Sequence, residues 1–133
     1  MVTKPDWNAP VHAWTWDQSA GLMLDPDGKR FAGGYSGKRS GLNNPLLQDQ
    51  RAHGPIPQGL YSIGPLRRSV KTGPNIMDLT PLPGTNTFGR SAFQIHGDNG
   101  KGNRSASSGC IILGPQFRTI IGRSAVKTLR VVA

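Results

Sequence analysis

A single cysteine in 133 residues leaves no partner for an intrachain disulfide. The fold must therefore rest on its own core, and Cys110 is either a small buried hydrophobe or a reactive thiol. No apolar stretch approaches the roughly 20 residues of a membrane-spanning helix. Met1 to Trp16 has neither the charged start nor the apolar centre of a secretory signal. The expectation is a chain made in the cytoplasm without a signal peptide, not inserted in a membrane, and exported, if it works outside, by a route other than general secretion. Acidic residues are scarce, seven against sixteen Lys and Arg, and the net charge of +9 favours anionic surroundings such as cell wall, membrane surface or nucleic acid. The basic residues come as pairs and singles (Lys29-Arg30, Lys38-Arg39, Arg67-Arg68) with no run of five, a dispersal that disfavours a nucleic-acid footprint. Zinc-like ligand spacing is missing too: there is one thiol, and His12 and His53 lie far from His96. No metal or cofactor is expected.

What the chain has in abundance is punctuation. Eighteen Gly and eleven Pro are scattered between short apolar runs, the pattern of many turns joining short strands, and 35% hydrophobic residues with three Trp suffice for one core. Val11 to Asp17 alternates, with His12, Trp14 and Trp16 on one face and Ala13, Thr15 and Asp17 on the other; the Trp pair is read as core. Ala20 to Asp25, a turn at Pro26-Asp27-Gly28, and Lys29 to Gly33 complete an antiparallel meander. Gly59 to Ile63, Ile76 to Thr80, Ser91 to His96, Cys110 to Leu113 and Thr128 to Val132 are further strands. Two short helices are expected. Pro45 to Ala52 has Asn43 or Asn44 as N-cap and Gly54-Pro55 as its stop; the second opens at Gly114-Pro115, puts Phe117, Ile120 and Ile121 on one face and closes at Gly122. The expected class is mainly β, a single-domain sandwich over residues 1–133 with one or two short helices.

Chemistry concentrates in residues 93–113. His96 ends one strand, residues 97–108 form a polar surface loop, and Ser107-Ser108-Gly109 leads into Cys110 at the start of another strand. If the two strands are neighbours, the imidazole lies beside the thiol. A thiolate is the nucleophile, and an adjacent imidazole takes its proton and later delivers one to a leaving amine. The ring needs an orienting acceptor, for which Asp98 and the Gly97 carbonyl are both available. Gly109 suits an oxyanion loop, because without a side chain it lets a substrate carbonyl approach the backbone, and the Cys110 N–H can donate to it. The plainer alternative is a strand-end histidine and an inert core thiol, but packing does not require the Gly and paired Ser that precede the only cysteine.

The order His96, loop, Ser107, Gly109, Cys110 resembles the signature of the L,D-transpeptidase catalytic domain, with Ser108 standing where that signature carries a second His. A wider set resembles a short branch of that family, the type VI secretion L,D-transpeptidase effectors. It comprises Thr15-Trp16-Asp17, Gly34-Tyr35-Ser36-Gly37, Asn43-Asn44-Pro45, Gly54 to Tyr61, Phe88-Gly89-Arg90-Ser91, Ile95 to Asp98, and Ser108 to Ile111. The resemblance implies an L,D-transpeptidase-like fold, Cys110 as nucleophile and His96 as base. The reaction implied is on peptidoglycan stem peptides, between the third residue, meso-diaminopimelate, and the D-Ala that follows it, through a thioester. It further implies delivery by the type VI secretion machinery into the periplasm of target bacteria and a cognate immunity protein. Ser108 in place of the second His removes any help from a second imidazole but leaves the base.

Stem peptides carry carboxylates, so an Arg is expected near the site; Arg90 and Arg118 flank the motif in sequence, while Tyr35 and Tyr61 are either cleft-lining or core. Papain-like peptidases place Cys ahead of His, the reverse of the order here. The alternative to an enzyme is a non-catalytic cationic module that binds cell wall or nucleic acid.

Overall fold

The computed structural model describes residues 12–133. Three strands, β1 (Trp14–Asp17), β2 (Leu22–Leu24) and β3 (Arg30–Gly33), form the expected antiparallel meander. Its second turn closes with Gly28 at φ +82° and the Asp25 carboxylate accepting the Asp27 and Lys29 N–H groups. Val11, where the sequence starts the first strand, lies outside the described residues. Trp14 and Trp16 are buried, so the core reading of the pair holds.

The remaining elements are β4 (Tyr35–Ser36), β5 (Gly59–Ile63), β6 (Arg67–Ser69), β7 (Gly73–Pro81), β8 (Phe93–His96), β9 (Ile111–Ile112), one helix α1 (Pro115–Arg123) and β10 (Thr128–Val132). Their strands join one mixed sheet in the order β3-β2-β1-β10-β5-β7-β8-β9-β4, with β6 added on β7. β3 and β4 stand at opposite ends of that order, yet only Gly34 separates them in the chain. The sheet must therefore fold back until its two ends meet. Trp16, Met23, Tyr61, Ile95, Ile111 and Val131, from strands along the whole order, share the enclosed core. Closure requires glycine at the join, since a Cβ on Gly34 would stand 2.0 Å from the Ile112 carbonyl oxygen. The result is one small, mainly β domain with a mixed sheet and, among the described residues, a single α-helix.

Two local expectations are corrected. Residues 45–52 do not form a full helix: the Asn44 carboxamide caps a single 3-10 turn, Pro45–Leu47, and hydrogen-bonded turns follow until Ala52, whose φ of +70° is incompatible with a continuing helix. In α1 the buried residues are Arg118 and Ile121, with Phe117 partly covered, while Ile120 is half exposed. The stripe sits over Phe31, whose ring contacts Trp14 at 4.9 Å and Phe117 at 5.4 Å between centroids. Gly122 does not end α1, which runs to Arg123; it is glycine because Leu66 packs there, 2.2 Å from where a Cβ would be.

Candidate active site

β8 and β9 pair in parallel with Ile95 opposite Ile111 and His96 opposite Ile112. Parallel neighbours need a crossover, and here residues 97–110 supply it without a helix. Side chains alternate across a strand. Ile95 and Ile111 point into the core, so Gln94, His96 and Cys110 emerge together on the other face. There they line one cleft of about 290 Å³, with Ala92, Phe93, Ser108 and Gly109 along one side and Ser69, Lys71 and Thr72 along another.

His96 is 6% exposed, and its Nδ1 lies 2.8 Å from the Gly97 carbonyl oxygen. A carbonyl can only accept, so the proton sits on Nδ1 and Nε2 is left as the basic nitrogen. The Asp98 carboxylate is engaged elsewhere, accepting from the Tyr35 hydroxyl at 2.9 Å and the Asn99 N–H at 2.8 Å. Burial pushes the His96 pKa down; the Gly97 hydrogen bond opposes this and the Arg118 charge adds to it. The same physics acts in the opposite sense on Cys110, whose thiol pKa burial pushes up, against the Gln94 backbone and the charges of Lys71 and Arg90. At rest the Cys110 S–H points to the Ala92 carbonyl at 3.7 Å, and no hydrogen bond joins it to His96 among the described residues. The shifts favour a neutral imidazole and a neutral thiol in this cleft, so a nucleophilic role for Cys110 would require proton transfer to accompany attack.

The loop that carries Cys110 is braced from below. Ser107 is fully buried; its hydroxyl donates to the Cys110 carbonyl at 2.5 Å and accepts from the N–H groups of Gly37 at 2.8 Å and Gly109 at 3.1 Å. The Ser36 hydroxyl donates to the Gly109 carbonyl and accepts from the Ile56 N–H. Tyr35 reaches both ends of the polar loop, donating to Asp98 and accepting from the Ala106 N–H at 3.1 Å. Burial holds its hydroxyl in the protonated state, pushed up to about 12. Gly109 has φ +131°, and a Cβ there would lie 2.4 Å from Arg90 Nη2. Ser108 alone of this run is exposed, on the cleft wall.

Both arginines singled out from the sequence are buried and donate to backbone carbonyls. Arg90 is 6% exposed, and its guanidinium donates to the carbonyls of Gln48, Pro55, Gly54 and Ser108 while stacking over the Phe93 ring. It clamps the Cys110 loop to residues 48–55. Arg118, also buried, donates to the Pro74 and Asn75 carbonyls and packs against the Gly97 α-carbon. The tyrosines are structural as well: Tyr61 is fully buried and donates to the Pro57 carbonyl, and Tyr35 supports the loop from beneath. The cations at the cleft are instead Lys71 and, in an adjoining pocket, Arg51. No motif marks either of them in the sequence. Gln94 was also missed; it takes a hydrogen bond from Thr72 and donates to Asp78, itself held by Arg67 in a bidentate pair.

A family model described as the Tlde1 domain matches residues 30–133, which span β3 to β10 and every residue of the site just described. The chain belongs to the Tlde1 domain family. Tlde1-domain proteins are type VI secretion effectors, and the family implies modification of peptidoglycan. The match begins within the meander, so β1 and β2 lie N-terminal to it although they complete the sheet. No curated protein matches the chain. Among the described residues no helix is long and apolar enough to cross a membrane, and no cluster of three or more His, Cys, Asp or Glu could hold a metal ion.

Proposed function

We propose that this Tlde1-domain protein is a cysteine-dependent L,D-carboxypeptidase and L,D-transpeptidase of peptidoglycan stem peptides, delivered by the type VI secretion machinery into the periplasm of target bacteria. The observation that carries the reading is the meeting of His96 and Cys110 on one wall of one cleft, with the imidazole held by Gly97 so that Nε2 is the free base. Cys110 attacks the carbonyl of the third stem residue, meso-diaminopimelate, as its proton passes to His96 Nε2. The Gly109 N–H already donates to Ser107, so the developing oxyanion falls to the Cys110 N–H. Collapse of the tetrahedral intermediate breaks the bond to D-Ala, whose amine takes the proton from His96, and leaves a thioester on Sγ. Water on that thioester gives carboxypeptidase trimming; a D-amino acid or the amine of a second stem gives exchange or a cross-link. Both outcomes deplete tetrapeptide donors, and a producing cell then needs a cognate immunity protein.

Incubation with purified muropeptides and mass analysis of the products tests this. The expected result is tetrapeptide stems that lose one D-Ala, with a mass shift when a different D-amino acid is added. A cut in the glycan strand, or at an amide nearer the sugar, contradicts it, and no cut at all favours a cationic wall-binding module.

A further inference from the structure

We infer that the pocket around Arg51 is an anion subsite that binds a carboxylate on the acyl-donor side of the scissile bond, an inference that rests on the stem-peptide reading above. This second pocket is lined by Arg51, Ala52, Gly89, Arg90, Ser91 and Ser108. Ser91 and Ser108 also line the thiol cleft, so the two cavities adjoin at these serines. Apart from the arginines the walls are small and uncharged, which leaves room for a ligand group.

Charge identifies the class of ligand. Arg90 and Arg51 stand close enough to repel one another, while the Asp49 carboxylate acts on Arg90 in the opposite sense. The Arg90 donors are spent on backbone carbonyls. The Arg51 side chain is exposed, and its guanidinium makes no hydrogen bond or ion pair among the described residues. A pocket with two guanidinium groups, one with its donors unspent, suits a carboxylate, which a planar fork can hold by two parallel hydrogen bonds.

Strand direction identifies which carboxylate. Ser91 and Ala92 lead into β8, which carries Gln94 and then His96, and Ser108, Gly109 and Cys110 lead into the parallel β9, whose Ile111 stands opposite Ile95 and so sets Cys110 level with Gln94. The thiol touches the Ala92 carbonyl. His96 therefore lies beyond the thiol in the strand direction, and the Arg51 pocket lies behind it. The leaving amine must sit on the His96 side, because His96 gives it a proton. The acyl half of the substrate then runs the other way, towards Arg51.

Arg51→Gln and Arg51→Lys, with Lys29→Gln as a remote exposed control for net charge, test the assignment by steady-state D-Ala release from three substrates. These are a native tetrapeptide stem, one with the carboxylates on the acyl-donor side amidated, and one with only the C-terminal carboxylate amidated. For the native stem Arg51→Gln should raise KM by about three- to tenfold with kcat little changed, as expected for an exposed charged contact. Arg51→Lys should recover part of the loss, and Lys29→Gln should match the wild type. Against the donor-amidated stem, wild type and Arg51→Gln should share one KM. Equal KM values on the native stem overturn the subsite. So does a difference that vanishes only when the C-terminal carboxylate is amidated, since the pocket would then hold the leaving group. If the wild type releases no D-Ala, the reaction reading fails on its own. The subsite is then decided by stem-peptide affinity of Cys110→Ala with and without Arg51→Gln, where equal affinities overturn it.

Discussion

At the scale of single residues, the site depends on burial acting with opposite signs on two groups. Desolvation disfavours the charged form of each, so the thiol pKa rises and the imidazole pKa falls. A preformed thiolate–imidazolium pair would need the reverse shifts. The consequence is measurable as the rate at which iodoacetamide alkylates Cys110 across pH. The rate should keep climbing past the ordinary thiol range near 8.5, and a plateau reached below pH 7 would contradict the neutral pair. The lowered His96 pKa also means that the imidazole stays unprotonated, and able to act as base, below about pH 6.5. That these two side chains share a cleft was legible before the fold, because the only cysteine follows Ser-Ser-Gly and the histidine ends a strand. What stayed hidden was the work of the arginines. Arg90 and Arg118 are near the motif in sequence, but a guanidinium beside a loop can serve carbonyls as readily as a ligand, and only coordinates separate the two uses.

At the scale of elements, the loop 97–108 is held open as a crossover between parallel strands by contacts to the short β4 and Gly37. Gly34-Tyr35-Ser36-Gly37 reads in sequence as a motif without a mechanism. In the fold Gly34 lets the chain pass Ile112, Tyr35 ties Asp98 to Ala106, Ser36 bridges Gly109 and Ile56, and Gly37 serves Ser107. Tyr35→Phe removes two hydrogen bonds and leaves the ring. It should cost about 1–2 kcal/mol, confined largely to the loop. Hydrogen exchange should then quicken at Ala106 and Asn99 while β5 and β10 amides keep their protection. Unchanged exchange in the loop would show that the tyrosine does not brace it. Most strands were legible from alternation and Gly/Pro punctuation, β5 and β10 to the residue. The two-residue β4 and the polar β6 were not, since a strand of that length or polarity has no period to read. The expected helix over residues 45–52 failed for another reason: its cap and Pro signal were genuine, but they start a single turn, which the backbone at Ala52 does not continue.

At the scale of the whole molecule, the closed sheet explains how residues far apart in sequence come to share a cleft. The fold-back at Gly34 sets β4 against β9, β7 carries β8, and the β6–β7 connection brings Lys71 to the far wall. Residues 48–55, joined to this frame by Arg90, bring Arg51 to the pocket that adjoins the cleft. The sequence announced a mainly β domain; the closure that makes a site of it rests on one glycine, which composition does not distinguish from the other seventeen. The claim that most needs testing is that this frame serves an acyl-enzyme on Cys110. The direct measurement is intact-protein and peptide mass spectrometry of the protein quenched in acid during turnover of a tetrapeptide stem. The account predicts a tripeptide acyl adduct, the stem less its D-Ala, on the peptide containing Cys110, released by hydroxylamine and absent from Cys110→Ala. Turnover that persists in Cys110→Ala, or an adduct on any other residue, would contradict it.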